Sequence, residues 1–129
     1  MIVVDASVII HVLVDAAVEP HIIDRLESAN GLLAPHILDL EVINEIRKQL
    51  FLKNLTLQQA VESFDAFKSL TIDRRPTDMF VDRIWELRSN LTPYDAAYVA
   101  LAETVDLPLI TRDSKIAKVK GLTIPVILV

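Results

Sequence analysis

Short, unbroken apolar runs recur along this chain with helix-spaced segments between them, and that alternation constrains the fold more than any other feature. The runs are Ile2 to Val4, Leu32 to Ala34, Leu70 to Ile72, Leu107 to Thr111 and Ile124 to Val129. Strands that are apolar at successive residues are covered on both faces, as in parallel sheets. Intervening helices supply the crossovers that parallel strands require. The expected architecture is α/β: a three-layer α/β/α arrangement with a central parallel sheet of about five strands.

The helical segments carry their own boundary signals. Ser7 to Val14 is apolar and helix-compatible, with Asp5 placed to cap it. Pro20 to Asn30 ends at Asn30-Gly31, a stop signal. His36 to Leu52 and Thr56 to Phe67 follow as helices. Thr77 to Leu91 reads as one helix with Phe80, Val81, Ile84, Leu87 and Leu91 inward. Thr92 caps a helix from Pro93 to about Thr104, with Pro at its first position and Asp95 three residues after the cap. A short basic helix begins at Ser114.

At 129 residues the expectation is a single domain, 1–129, able to bury a core without covalent staples. An apolar share of 52% excludes intrinsic disorder. The absence of cysteine removes disulfide scaffolds, thiolate zinc sites, iron–sulfur clusters and a cysteine nucleophile. Met1 to Ile10 lacks the basic start of a signal peptide. Asp5, His11 and Asp15 interrupt the one candidate for a long apolar span. A soluble cytoplasmic protein with no membrane contact is expected.

Eighteen acids against thirteen Lys and Arg leave a net charge of −5. Such a balance disfavours generic nucleic-acid binding, which needs cations for phosphates. Clustered acids would instead hold a cation. Sites of parallel α/β folds lie beyond the carboxyl ends of the strands. Asp5 ends the first strand, and Asp113 follows the fourth by two residues. Asp95 sits in the first turn of the helix feeding that fourth strand, which a right-handed crossover brings to the same edge. Each aspartate also has a simpler role as a helix cap. Glu41 stands among Ile37, Leu38, Leu40, Val42 and Ile43, a helix stretch expected to be buried nearly all round. A carboxylate there needs a partner or a cation; rim exposure, or pairing with Arg47 or Lys48, is the alternative. All-oxygen donors suit Mg²⁺ or Mn²⁺. His11, His21 and His36 are too scattered for zinc, and His11 reads as structural. Neither nucleotide-binding glycine motif is present. Asp5 also lacks the acidic neighbour of haloacid-dehalogenase-like phosphatases and receiver domains.

Four fragments taken in order carry a resemblance: Asp5-Ala6-Ser7-Val8-Ile9, Leu40-Glu41-Val42, Thr92-Pro93-Tyr94-Asp95 running on to Ala102, and Thr111-Arg112-Asp113. The chain resembles the PIN domain family over its whole length, and within it the VapC-like toxins of type II toxin–antitoxin systems. The resemblance implies a Mg²⁺- or Mn²⁺-dependent endoribonuclease with Asp5, Glu41, Asp95 and Asp113 as its catalytic, metal-holding acids. It implies that Ser7 and Thr111 support the aspartates beside them. It further implies a homodimer and a small antitoxin lying along a groove of the helices from His36 to Phe67. Phe51, Leu52, Leu55 and Leu57 would serve that groove, though all four equally suit the core. In the implied hydrolysis Asp5 and Asp95, with or without Asp113, hold a first ion, and Glu41 and Asp113 hold a second or orient its waters. Arg112, Lys115 and Lys118, with Lys120 beyond, form a basic stretch that would bind RNA or simply face solvent. A PIN nuclease of RNA processing without an antitoxin, and a non-catalytic PIN-like binding domain, are the competing readings.

Overall fold

The computed structural model describes all residues from Met1 to Val129. Its elements run β1 (Ile2–Val4), α1 (Ala6–Val14), α2 (Pro20–Ser28), β2 (Leu32–Pro35), α3 (Ile37–Phe51), α4 (Leu57–Ser69), β3 (Ile72–Arg75), α5 (Val81–Glu86), α6 (Pro93–Val105), β4 (Leu109–Thr111), α7 (Ser114–Ala117) and β5 (Val126–Leu128). The strands form one all-parallel sheet in the order β3-β2-β1-β4-β5. Helices flank it on both sides in a three-layer α/β/α arrangement. No helix is long and apolar enough to cross a membrane.

Burial follows position in this sheet. The central strand β1 is buried at every residue, and Val3 and Val4 are fully enclosed. β-branched side chains suit such a strand because both its faces are packed. At the edge, β3 pairs only with β2, from Leu32 opposite Ile72 to Pro35 opposite Arg75. Only Ile72 of β3 is buried, and the rest is Asp73-Arg74-Arg75. The apolar run at Leu70 therefore misplaces this strand by two residues. Leu70 instead terminates α4, its N–H bonded to the Phe67 carbonyl. An edge strand is specified by its ladder more than by hydrophobic content, so its polar half carries no apolar signal.

The segment expected as one helix over Thr77 to Leu91 is broken. A 3-10 turn spans Thr77–Phe80, Phe80 leaves helical geometry, and α5 restarts at Val81. The tighter turn shifts the helical phase. Phe80, Leu87 and Leu91 remain buried, whereas Val81 turns out to solvent. α6 behaves oppositely: Ala96 through Ala102 are all buried, and the helix packs against β1, β2 and β4. Small alanines let it lie close to the sheet, while Tyr98, Val99 and Leu101 fill the remaining space.

The outer face of α3 corrects another expectation. Only Leu38, Val42 and Ile46 are buried, and Leu40 is 65% exposed. Ile43 is exposed too, so Glu41 sits at the edge of the buried stripe rather than inside an enclosed helix. Phe51, Leu52 and Leu57 are likewise exposed, and Leu55 is half-buried. They form no part of the core cluster, although Leu55 packs against it.

Candidate active site

The strand order fixes where a site can form. From β1 the chain steps outward through β2 and β3, then returns to lay β4 and β5 on the other side. The crevice beyond the carboxyl ends of β1 and β4 is thus the switch point of the sheet, where α/β folds bind ligands. Asp5 directly follows β1, and Asp113 lies two residues past β4.

Asp5 is only 5% exposed. It stands at the N-cap of α1 yet makes no capping hydrogen bond, so it is not held there as a cap. Two hydroxyls converge on its Oδ2 instead: Ser7 Oγ donates at 2.6 Å and Thr111 Oγ1 at 2.7 Å. Each hydroxyl is itself fixed by a backbone donor. The Arg112 N–H donates to Ser7 Oγ at 3.0 Å, and the Asp113 N–H donates to Thr111 Oγ1 at 2.9 Å. Ser7 and Thr111 thus lock the turn after β4 onto the carboxylate that ends β1. Asp5 Oδ1 accepts nothing from the chain, and no enclosed side-chain polar atom lacks a partner. That oxygen consequently opens toward the crevice.

Asp113 is a cap: its Oδ1 accepts the Lys115 N–H at 2.8 Å at the start of α7. Asp95 is not. Thr92 caps α6 by accepting the Asp95 N–H at 3.3 Å, but the return bond of a capping box is missing. Thr56 and Gln59 do complete such a box at α4. The Asp95 carboxylate is half-buried and close enough to Asp5 and Asp113 to feel their charge. Glu41, also half-buried, pairs with neither Arg47 nor Lys48. It accepts the Tyr98 hydroxyl at 2.5 Å, which ties α3 to α6.

The four acids share one electrostatic environment. Burial pushes the Asp5 carboxyl above the usual carboxylate range, and the negative charges of Asp95 and Asp113 push the same way. Burial, then Asp5 and Asp95, raise Glu41. Burial and Asp113 raise Asp95, opposed by the Thr92 hydroxyl and then by Lys115. Tyr98 is held strongly protonated by burial and by Glu41, so it remains a donor. Mutual repulsion of this kind is relieved by a cation. No three His, Asp or Glu side chains stand close enough together to hold a metal ion among them. The donor set is all oxygen, with Asp5 Oδ1 accepting no hydrogen bond and the Asp95 carboxylate half-buried beside it. It fits a hard cation that keeps several of its waters, as Mg²⁺ does.

Tyr98 is the participant that the sequence reading passes over. It is the one hydroxyl-bearing side chain among seven consecutive buried residues of α6, three residues after Asp95. A lone polar tip on so apolar a stretch needs a partner, and that was the available signal. His11 is structural in the way expected: it is buried, with Nδ1 bonded to Asp15 and Nε2 to Glu19 at 2.8 Å. Arg112, Lys115 and Lys118 are all exposed around the turn and helix that follow β4.

The PIN domain family model matches residues 2–122. The chain belongs to that family. It is similar to Ribonuclease VapC1 of Mycobacterium tuberculosis, 36% identical over 121 residues that cover 93% of this chain and 91% of that protein. Ribonuclease VapC12 of the same organism is 35% identical over 121 residues, covering 94% of this chain and 93% of the relative. The fold also matches a chain of a toxin–antitoxin complex from Klebsiella pneumoniae, with a TM-score of 0.68 at 20% identity, covering 94% of this chain and 93% of that one.

Proposed function

We propose that this chain is a Mg²⁺- or Mn²⁺-dependent endoribonuclease that hydrolyses RNA phosphodiester bonds in the cytoplasm as the toxin of a toxin–antitoxin pair. The observation that carries the reading is the free Asp5 Oδ1, pinned at the switch point and coupled to Glu41, Asp95 and Asp113. The ribonuclease names of the relatives support it.

Asp5 and Asp95, joined by Asp113, would hold one ion; Glu41 and Asp113 would hold a second or orient water. When bound, the ion lowers the pKa of water and neutralises charge on the scissile phosphate. The chain's own residues supply the rest. Ser7 and Thr111 fix the Asp5 carboxylate so that its free oxygen keeps one direction. Tyr98 holds Glu41 against the repulsion of Asp5 and Asp95. Arg112, Lys115 and Lys118 offer cations for the RNA backbone, which the acids alone would repel.

The antitoxin is favoured over an unpartnered processing nuclease by the exposed Phe51, Leu52 and Leu57 beside the α3–α4 connection. The match to a chain of a toxin–antitoxin complex adds to that. A homodimer belongs to the same reading. RNA cleavage by the purified protein, stopped by EDTA and restored by Mn²⁺, tests the enzyme. Asp95→Asn should lose cleavage at least about a thousandfold while melting normally. Full activity in that variant would remove Asp95 from the site.

A further inference from the structure

A depression of about 370 Å³ lies beside the carboxylate centre, lined by Asn90, Lys115, Lys118, Val119 and Lys120. Lys115 links it to the acids: its N–H is bonded to Asp113 and its charge acts on Asp95. Asn90 lies in the turn after α5, next to the buried Leu91 and the α6 cap Thr92, so that wall continues to Asp95. Lys115 is two residues from Asp113 and opens α7. Val119 is half-buried against the core and pins the opposite wall, with Lys118 and Lys120 exposed on either side of it. Gly121 then turns away with φ +78°, where any side chain is strained.

Seven cations of this chain of net −5, Arg25, Lys48, Lys53, Arg112, Lys115, Lys118 and Lys120, have neither a salt bridge nor a ring partner, and three of them gather in this depression. Lys68, Arg74, Arg75 and Arg83 are ion-paired to carboxylates. Arg47 and Arg88 lie over the rings of Phe51 and Trp85. Lys115, Lys118 and Lys120 have no salt-bridge partner, and no acid lines the cavity. The depression on the other side of the centre differs. It is lined by Asp15 and Glu45 as well as Arg112, a mixture that does not favour a polyanion. Unpaired lysines around a dent, with an amide donor on the facing wall, match a phosphate and its oxygens.

We infer that the dent between the turn after α5 and the segment after α7 is a phosphate subsite, which holds the RNA backbone one or more nucleotides away from the bond cut at the carboxylate centre. This rests on the ribonuclease reading and adds Asn90 and Lys120 to it. It sets a direction: the strand leaves the acids over α7, not over α1. Substrates too short to reach the dent lose its contribution.

The test uses a fluorescein-labelled oligouridylate of about 12 nucleotides, titrated in EDTA so that nothing is cut. Lys118→Ala/Lys120→Ala should weaken binding about tenfold and flatten the logarithmic salt dependence by roughly 1.4, two contacts at about 0.7 each on single strands. Lys118→Arg/Lys120→Arg should keep the slope, and Lys48→Ala/Lys53→Ala should leave binding unchanged. An unaltered slope in the first double variant overturns the subsite, as does an equal loss in the Lys48/Lys53 control. The ribonuclease reading is scored separately with Mn²⁺ present. Lysine-dependent binding without cleavage would sink the nuclease and keep the subsite; cleavage indifferent to Lys118 and Lys120 would do the reverse.

Discussion

The four acids divide into a held pair and an open pair. Asp5 and Glu41 receive side-chain hydroxyls: two on Asp5, from Ser7 and Thr111, and one on Glu41, from Tyr98. Asp95 has beside it only the hydroxyl of its own helix cap, Thr92, and Asp113 is occupied only by the Lys115 N–H that it caps. The held pair sits at the end of the buried strand β1 and across the α3–α6 contact. The open pair sits at helix starts, facing the crevice. A buried charge survives only where donors surround it. The held acids thus supply fixed direction, and the open acids supply ligand oxygens free to move onto an ion.

The sharpest way to break this division is to neutralise one acid from each pair. Asp5→Asn should abolish cleavage, at least about a thousandfold, because it removes the charge at the most rigid position. Its melting temperature should hold or rise, since the lost charge is one that burial and two neighbouring acids disfavour. Asp113→Asn, which still caps α7, should cost less activity. Equal losses in cleavage assays on the Asp5 and Asp113 variants would show that capping α7 does not set Asp113 apart from the held acids.

Thr111→Val comes next. It keeps the shape but strips Asp5 of a donor and the Asp113 N–H of its acceptor, both in buried or half-buried surroundings. A loss of about 1–3 kcal/mol in urea unfolding is expected, together with lower activity. Tyr98→Phe should be milder, about 1 kcal/mol, because Glu41 is half-buried and can turn to water. Cleavage should fall roughly tenfold in that variant as Glu41 loses its direction. If Tyr98→Phe were silent in both measurements, Glu41 would belong with the open acids.

The placement of the three aspartates is legible because it follows from strand ends and one helix with a clear start signal. Their local roles are not. Asp is a good cap and also a good ligand, so sequence leaves Asp5, Asp95 and Asp113 equivalent. Geometry separates them: Asp113 caps, whereas Asp5 and Asp95 do not. Five apolar neighbours on a wheel leave Glu41 either enclosed or at the rim, and it is at the rim. A wheel cannot show that α3 is an outer helix with Leu40 and Ile43 in solvent. The same blindness covered Phe51, Leu52 and Leu57, which suit a core and face out. The edge strand β3 and the 3-10 turn before α5 escaped for a different reason. Ladder pairing and a shift in helical phase leave little trace in an apolar pattern.

The smallest effect concerns pH and the metal-free protein. Asp5, Glu41 and Asp95 all have carboxyl groups held above the usual range, first by burial. In the window where the unfolded chain has released these protons, the native state still binds them. The stabilisation they bring is complete below the unfolded values and is lost as pH rises through the native ones. Glu19, bonded by His11, and Asp73, bonded by Arg75, are shifted down and act oppositely. Their contribution is present above the unfolded values and is lost only as pH falls through lower native ones, so the two windows separate. In EDTA, the melting temperature should therefore fall modestly as pH rises from about 4.5 to 7. Saturating Mg²⁺ should reverse that slope, because it binds the deprotonated acids. Asp5→Asn should flatten the EDTA curve, whereas Asp113→Asn, from the open pair, should change it less. A curve in EDTA that climbs toward neutrality would mean that donors, not repulsion, dominate the held pair.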